Sequence, residues 1–233
     1  MTQQPSAESK PSTEKKPTEE KKPSPKPQPA PEKKPAPEKK PATSGGKDAG
    51  GYIEGQQLPS QPTVINGILI ASKKYPLPST YAPGESKAAR AAFEQLAAAA
   101  KQEGIHLTAF STYRSYDYQV GLYNRYVKRD GKAAADRYSA RPGYSEHQTG
   151  LAFDIGEVGK ENDWASNRFA DSVGGKWLKD NAHRFGFVMR YPQGKEQITG
   201  YMYESWHFRY VGIDHATKIY QNNQTIEEYL GIQ

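Results

Sequence analysis

The chain contains no cysteine, which excludes both a disulfide frame and a thiol nucleophile. It also lacks any run approaching the roughly 20 apolar residues of a membrane-spanning helix. The first fifty residues are poorer still, with no Val, Ile, Leu, Phe, Tyr or Trp. Such a stretch cannot bury enough apolar surface to offset the entropy of ordering its backbone. Its opening residues, MTQQPSAESK, have no apolar core, so no secretory signal is expected in this chain.

What that stretch does contain is proline and lysine. Residues 1–50 hold 11 of the 18 prolines, and their 11 Lys against 7 acidic residues account for +4 of the net charge of +6. Proline removes amide donors and favours extended backbone. PEKKPA occurs at 31–36 and again at 37–42, a low-complexity repeat and not a solenoid unit. Residues 1–50 therefore read as a disordered, semi-extended spacer, whose deletion is expected to leave stability unchanged. Lysine alternates too evenly with Glu and Pro for a nucleic-acid arm, so no nucleic-acid partner is expected, although the charge suits an anionic wall or membrane surface. Residues 51–233 have the length of one ordinary domain, expected as a monomer.

Within that domain, 63–78 (TVINGILIASKKYPLP) reads as a strand stopped by prolines. Residues 86–104 read as an alanine-rich helix with Ser86 as cap and Gly104 as stop. Residues 105–113 read as a strand and 116–131 as a helix. A short strand at 150–156 precedes a helix over 167–186, whole or broken at Gly174–Gly175. Strands at 187–192 and 201–212 and a small helix at 225–230 complete the chain. This order has no regular βαβ repeat and no phosphate-binding glycine fingerprint. It predicts an α+β domain with a mainly antiparallel sheet flanked by helices.

Two cassettes carry the chemistry: SEHQTGLAFD at 145–154 and ESWH at 204–207. His147, Asp154 and His207 suit a zinc ion. Two imidazoles and a carboxylate leave one tetrahedral position for water, as in catalytic zinc sites. Glu204 is a carboxylate suited to accept a proton from such a water. Gly150 predicts a turn between His147 and Asp154. Glu204 and His207, three apart, would point to opposite faces of a regular strand, so a bulge near Trp206 is required to bring them together. Each of these residues alone also reads as ordinary: a packed histidine, a turn aspartate. His106, His183 and His215 have no compatible partner nearby and are not expected to be ligands. Arg114, at a strand-to-helix junction, suits either a substrate carboxylate or a plain salt bridge. Gln119 and Ser145 offer hydrogen bonds. Tyr113, Tyr116, Tyr118, Tyr123 and Tyr126 read as core and rim.

Taken together, Ser145–His147–Gly150–Ala152–Asp154, Glu204–Trp206–His207, STYRSYDYQ upstream and FVMRYPQGKEQITGYMYESWHFRYVG resemble the VanY-type D-alanyl-D-alanine carboxypeptidases and the related LdcB-like L,D-carboxypeptidases of Gram-positive bacteria. The resemblance spans roughly residues 63–232. It implies that His147, Asp154 and His207 hold Zn2+, that Glu204 is the general base, and that Arg114, Gln119 and Ser145 hold the substrate, with Arg114 on the terminal carboxylate or the oxyanion. It implies removal of the terminal D-alanine from peptidoglycan stem peptides, tetrapeptide stems being favoured. Pentapeptide D,D-cleavage, cross-link endopeptidase activity and an inactive wall-binding module are the alternatives. It also implies action at the extracellular face of the cell, with membrane attachment only through an anchor outside this sequence. Ser205 stands where the family often has proline, which predicts a looser backbone beside Glu204.

Overall fold

The structure is a computed structural model describing residues 46–232. The expectation of a disordered spacer concerns residues that, up to 45, lie outside those described. The break expected after residue 50 cuts through a folded segment. Lys47 pairs with Ile53, Asp48 bridges to Arg141 at 2.7 Å, and Tyr52 is buried. Removing residues 1–45 is therefore expected to leave the melting temperature within about 2 °C of the full chain. Removing residues 1–53 takes away a buried aromatic residue and is expected to lower it by on the order of 10 °C. Scanning calorimetry of the two truncations tests this, and equal melting temperatures would refute it.

The first departure from expectation is local. Residues 63–78 contain a hairpin, β1 (Thr63–Ile65) and β2 (Ile68–Ile70), instead of one strand. Asn66 and Gly67 both take positive φ, 49° and 80°, the two-residue turn whose twist matches antiparallel strands. After the hairpin, α1 (Lys87–Gln102) starts at Ser86, whose hydroxyl accepts from the Ala89 amide. Then follow β3 (Leu107–Ser111), α2 (Tyr116–Asp130) and the short α3 (Lys132–Tyr138). Strand β4 (Ala152–Glu157) follows a single 3-10 turn over Glu146–Thr149.

The expected helix over 167–186 is broken, but two residues before the glycine pair. A 3-10 turn at Asn167–Asp171 ends at Ser172, whose hydroxyl caps α4 (Val173–Asn181) through the Gly175 amide. A serine cap, not glycine flexibility, sets the break. The chain closes with β5 (Phe187–Tyr191), α5 (Glu196–Thr199), β6 (Glu204–Tyr210), α6 (Ile213–Gln221) and α7 (Ile226–Leu230). Thr225 and Glu228 form a reciprocal capping box on α7.

Strands β3, β4, β6 and β5 form, in that order, a fully antiparallel sheet. Side chains alternate across it. Phe153 and Ile155 of β4, Phe187 of β5 and Phe208 of β6 join Phe93 and Leu96 of α1 and Trp177 and Leu178 of α4 in the main core. One face is thus covered by helices, and the intervening residues of β4 and β6 turn to the other face. The result is the expected α+β architecture. Among the described residues, no helix is long and apolar enough to cross a membrane.

Candidate metal centre and substrate cleft

The sheet itself brings the two cassettes together. Asp154 lies directly opposite His207 in the β4–β6 ladder, one residue out of phase with the core pair Phe153 and Phe208. The same alternation that buries the phenylalanines sends Asp154 and His207 to the opposite face. His147 arrives from the 3-10 turn just before β4. Gly150 ends that turn at φ 71°, and a Cβ there would lie 2.0 Å from the Gly84 carbonyl oxygen, so a side chain at this position would displace the cassette. The expected turn between His147 and Asp154 is present.

Strand β6 also carries the expected bulge. Between the pairs Tyr191–Glu204 and Met189–Phe208, one residue of β5 faces three of β6. The irregularity turns Glu204 to the His207 side, where its Oε2 lies 3.4 Å from His207 Nδ1. Ser205 does not loosen this stretch. Its hydroxyl donates to the Ser166 carbonyl at 3.2 Å and its amide to Asn167 Oδ1 at 3.4 Å, bonds that a proline cannot make.

The ligand-type atoms of His147, Asp154 and His207 all lie within 4.8 Å of one another, and all three residues are buried. His147 Nδ1 lies 2.5 Å from the Thr112 carbonyl, which can only accept, so the proton sits on Nδ1 and Nε2 is left as a free acceptor. That Nε2 lies 3.2 Å from Asp154 Oδ2, and His207 Nδ1 lies 3.3 Å from Asp154 Oδ1. Among the described residues, His147 Nε2 and Asp154 Oδ1 find no hydrogen-bond partner although both are buried. Two inward-facing acceptors without donors are what a cation would complete. Burial, with Arg114 nearby, lowers His147 to about 4, so its imidazole is neutral and ready to coordinate. Burial would also lower His207, but Asp154, Glu146 and Glu204 outweigh it and raise it well above the usual range. Against the cost of burial, Asp154 is held ionised by His207. Burial raises Glu204, against the pull of His207. A carboxylate pushed upward in this way is a better proton acceptor than a free one.

Reading the sequence missed Glu146. Its side chain is only 1% exposed, and its Oε1 accepts from Arg190 Nε at 2.7 Å and from Arg209 at 2.8 Å. Its Oε2 lies 3.5 Å from His207 Nε2. Arg190 in turn makes a two-pronged pair with Glu227 at 2.9 and 2.5 Å. Two buried arginines keep Glu146 ionised, and Glu146 faces the outer nitrogen of His207 while Nδ1 faces Asp154. A signal was available: arginine inside the apolar strand patterns FVMRY and SWHFRY requires a buried anionic partner.

The cluster lies in a cleft of about 470 Å³. Arg114 and Ser145 line it beside His147, as does Gln119. The Arg114 amide donates to the His147 carbonyl at 3.1 Å, its guanidinium reaches Gln119 Oε1 at 3.2 Å and Asp154 Oδ2 at 3.8 Å, and its buried Nε has no partner among the described residues. Gln119 is buried and donates to the Ala140 carbonyl at 2.7 Å. The Ser145 hydroxyl is not used to cap the turn it precedes. The tyrosines divide. Tyr123 is buried and donates to Asp136 at 2.6 Å, whereas Tyr118 and Tyr126 join Tyr138, Tyr201 and Tyr203 in the cleft wall. His183 stacks on Tyr220, and His215 meets the Tyr229 hydroxyl at 2.9 Å, both away from the cluster.

A profile of the VanY family, described as D-alanyl-D-alanine carboxypeptidase, matches residues 84–213. The chain belongs to the VanY family. The match contains both cassettes, and the chain is accordingly a peptidase. YodJ of Bacillus subtilis, assigned as a carboxypeptidase, is 40% identical over 184 residues, covering 70% of this chain and 67% of that protein. About a third of that relative thus lies outside the match. The crystal structure of the L,D-carboxypeptidase DacB of Streptococcus pneumoniae is 48% identical with a TM-score of 0.63, covering 71% of this chain and 87% of that one. A D,D-pentapeptidase VanY from a vancomycin resistance cassette, in complex with Zn(II), is 35% identical with a TM-score of 0.60, covering 69% and 97%.

Proposed function

We propose that this VanY-family chain is a zinc-dependent carboxypeptidase that removes the terminal D-alanine from peptidoglycan stem peptides, with tetrapeptide stems as its preferred substrate. The observation that carries the reading is the pair of unpartnered buried acceptors, His147 Nε2 and Asp154 Oδ1, beside His207 and within reach of the Glu204 carboxylate. Two imidazoles and one carboxylate are a donor set suited to zinc, and a VanY relative binds Zn(II). Zinc bound here supplies Lewis-acid polarisation of the scissile carbonyl and acidifies water at neutral pH.

The chain's own residues do the rest. Glu204 takes the proton of the attacking water and returns it to the leaving amine of D-alanine, so protons balance over the cycle. Arg114 offers the unpartnered Nε–H to the substrate, as a charge-assisted donor to the terminal carboxylate or the developing oxyanion. Gln119 holds that guanidinium from behind. Ser145 offers a hydroxyl at the same wall. Glu146 places a negative charge 3.5 Å from the outer nitrogen of His207, favouring a proton there.

Preference for the tetrapeptide stem is supported by the higher identity to an L,D-carboxypeptidase than to the D,D-pentapeptidase, 48% against 35%. The leaving D-alanine is the same in both reactions, so discrimination falls on the residue before it, a long side chain or a methyl group. A wall-side location, with the Lys/Pro-rich spacer carrying the domain into peptidoglycan, accords with this substrate. Arg114→Lys is expected to lower kcat/KM on either stem by roughly tenfold or more, because an ammonium cannot reproduce the fork of a guanidinium. Unchanged kinetics in that variant would remove Arg114 from the substrate site. Competing equal amounts of tetrapeptide and pentapeptide stems tests the preference directly. Faster loss of the pentapeptide would overturn it.

A further inference from the structure

The segment Gly46–Glu54 lies before the span matched by the family profile, yet its side chains reach the back of the cleft wall. Tyr52 is 1% exposed, and its ring packs edge-on to Tyr144 at 4.9 Å. Its hydroxyl meets the Tyr201 hydroxyl at 3.1 Å and accepts from the Arg141 amide at 3.1 Å. Tyr201 lines the cleft. The carbonyl of Ala140, in the same peptide unit as the Arg141 amide, holds Gln119, which in turn holds Arg114. Tyr52 therefore stands behind two cleft walls at once, one directly and one through a single peptide plane and a glutamine.

The segment is fastened for this. Asp48 accepts from the amides of Gly50 and Tyr52 at 2.9 and 3.1 Å and pairs with Arg141 at 2.7 Å. Arg141 also pairs with Asp136 at 2.6 Å, and its guanidinium lies 3.9 Å above the Tyr52 ring. The buried Lys73 ammonium donates to the carbonyls of Gly50 and Asp136 at 2.7 and 2.8 Å, joining the segment to α3. A surface strap would not require a buried lysine, a two-acid arginine and a shared tyrosine hydroxyl. These groups fix a geometry.

We propose that Gly46–Glu54 is a positioning strap for the substrate cleft, in which Asp48 and Tyr52 set the places of Arg114 and Tyr201. The idea rests on the reading of Arg114 as the substrate-gripping residue. Tyr52→Phe keeps the ring and removes the shared hydroxyl, and Asp48→Asn keeps the shape and removes the charge. In the full chain loaded with zinc, each is expected to raise KM for the tetrapeptide stem about three- to tenfold, leaving kcat and zinc content near wild type. In proton–nitrogen correlation spectra without substrate, the Arg114 Nε–H signal should shift in Tyr52→Phe while signals from α4 stay in place. A folded Tyr52→Phe with unchanged KM and an unmoved Arg114 signal would overturn the strap. So would a fall in kcat and melting temperature with no change in KM, the mark of a merely structural residue. A wild-type protein that leaves the stem peptides intact would defeat the functional reading instead. The Arg114 signal then decides the strap alone, kept if it moves and overturned if it does not.

Discussion

Glu204→Gln is expected to lower kcat by roughly 10² to 10⁴ while metal content and substrate binding persist. The substitution is nearly isosteric, so the β6 bulge and the 3.4 Å approach to His207 should survive it. An amide cannot accept the water proton, and nothing else in the cluster is free to do so. Asp154 is held between two histidines, and Glu146 is committed to two arginines. Steady-state kinetics with D-alanine release as the readout, paired with metal analysis, tests this. Near-wild-type turnover would mean that another group is the base, and loss of metal would mean that Glu204 belongs to the metal's own ligand set.

His147→Ala and His207→Ala are expected to lose both bound zinc and activity. Each removes one of three donors, and a two-donor remainder binds zinc far more weakly. The two variants should differ in stability. His147 touches the Thr112 carbonyl, whereas His207 stands against Glu146, whose other oxygen is held by Arg190 and Arg209. Removing Glu146 itself is the harsher structural change, because Glu146→Ala leaves Arg209 without a carboxylate partner and Arg190 with Glu227 alone. Loss of one partner from such a buried pair costs about 3–5 kcal/mol. Full zinc occupancy in both histidine variants, measured by elemental analysis, would refute the assigned ligand set.

The parts of this site legible in the sequence were those governed by local rules. Gly150 announced the turn that separates His147 from Asp154. The three-residue spacing of Glu204 and His207 could be reconciled with a strand only through a bulge, and the bulge is there. The α+β class followed from the order of elements. What was not legible depended on partners distant in sequence. Glu146 looked like a charged residue beside a histidine, and its role appears only when β5 and β6 deliver Arg190 and Arg209 to it. Asp48 lay inside the stretch without apolar side chains and Tyr52 just beyond it, and their partners Arg141 and Tyr201 are distant in sequence. The Asn66–Gly67 pair is a hairpin signal, but the apolar residues on both sides of it read equally as one continuous strand.

The most direct test is the product mass from a purified tetrapeptide stem incubated with the zinc-loaded chain. The account predicts loss of one alanine residue and release of free D-alanine, abolished by Glu204→Gln. An intact tetrapeptide, or cleavage at any other bond, would contradict it.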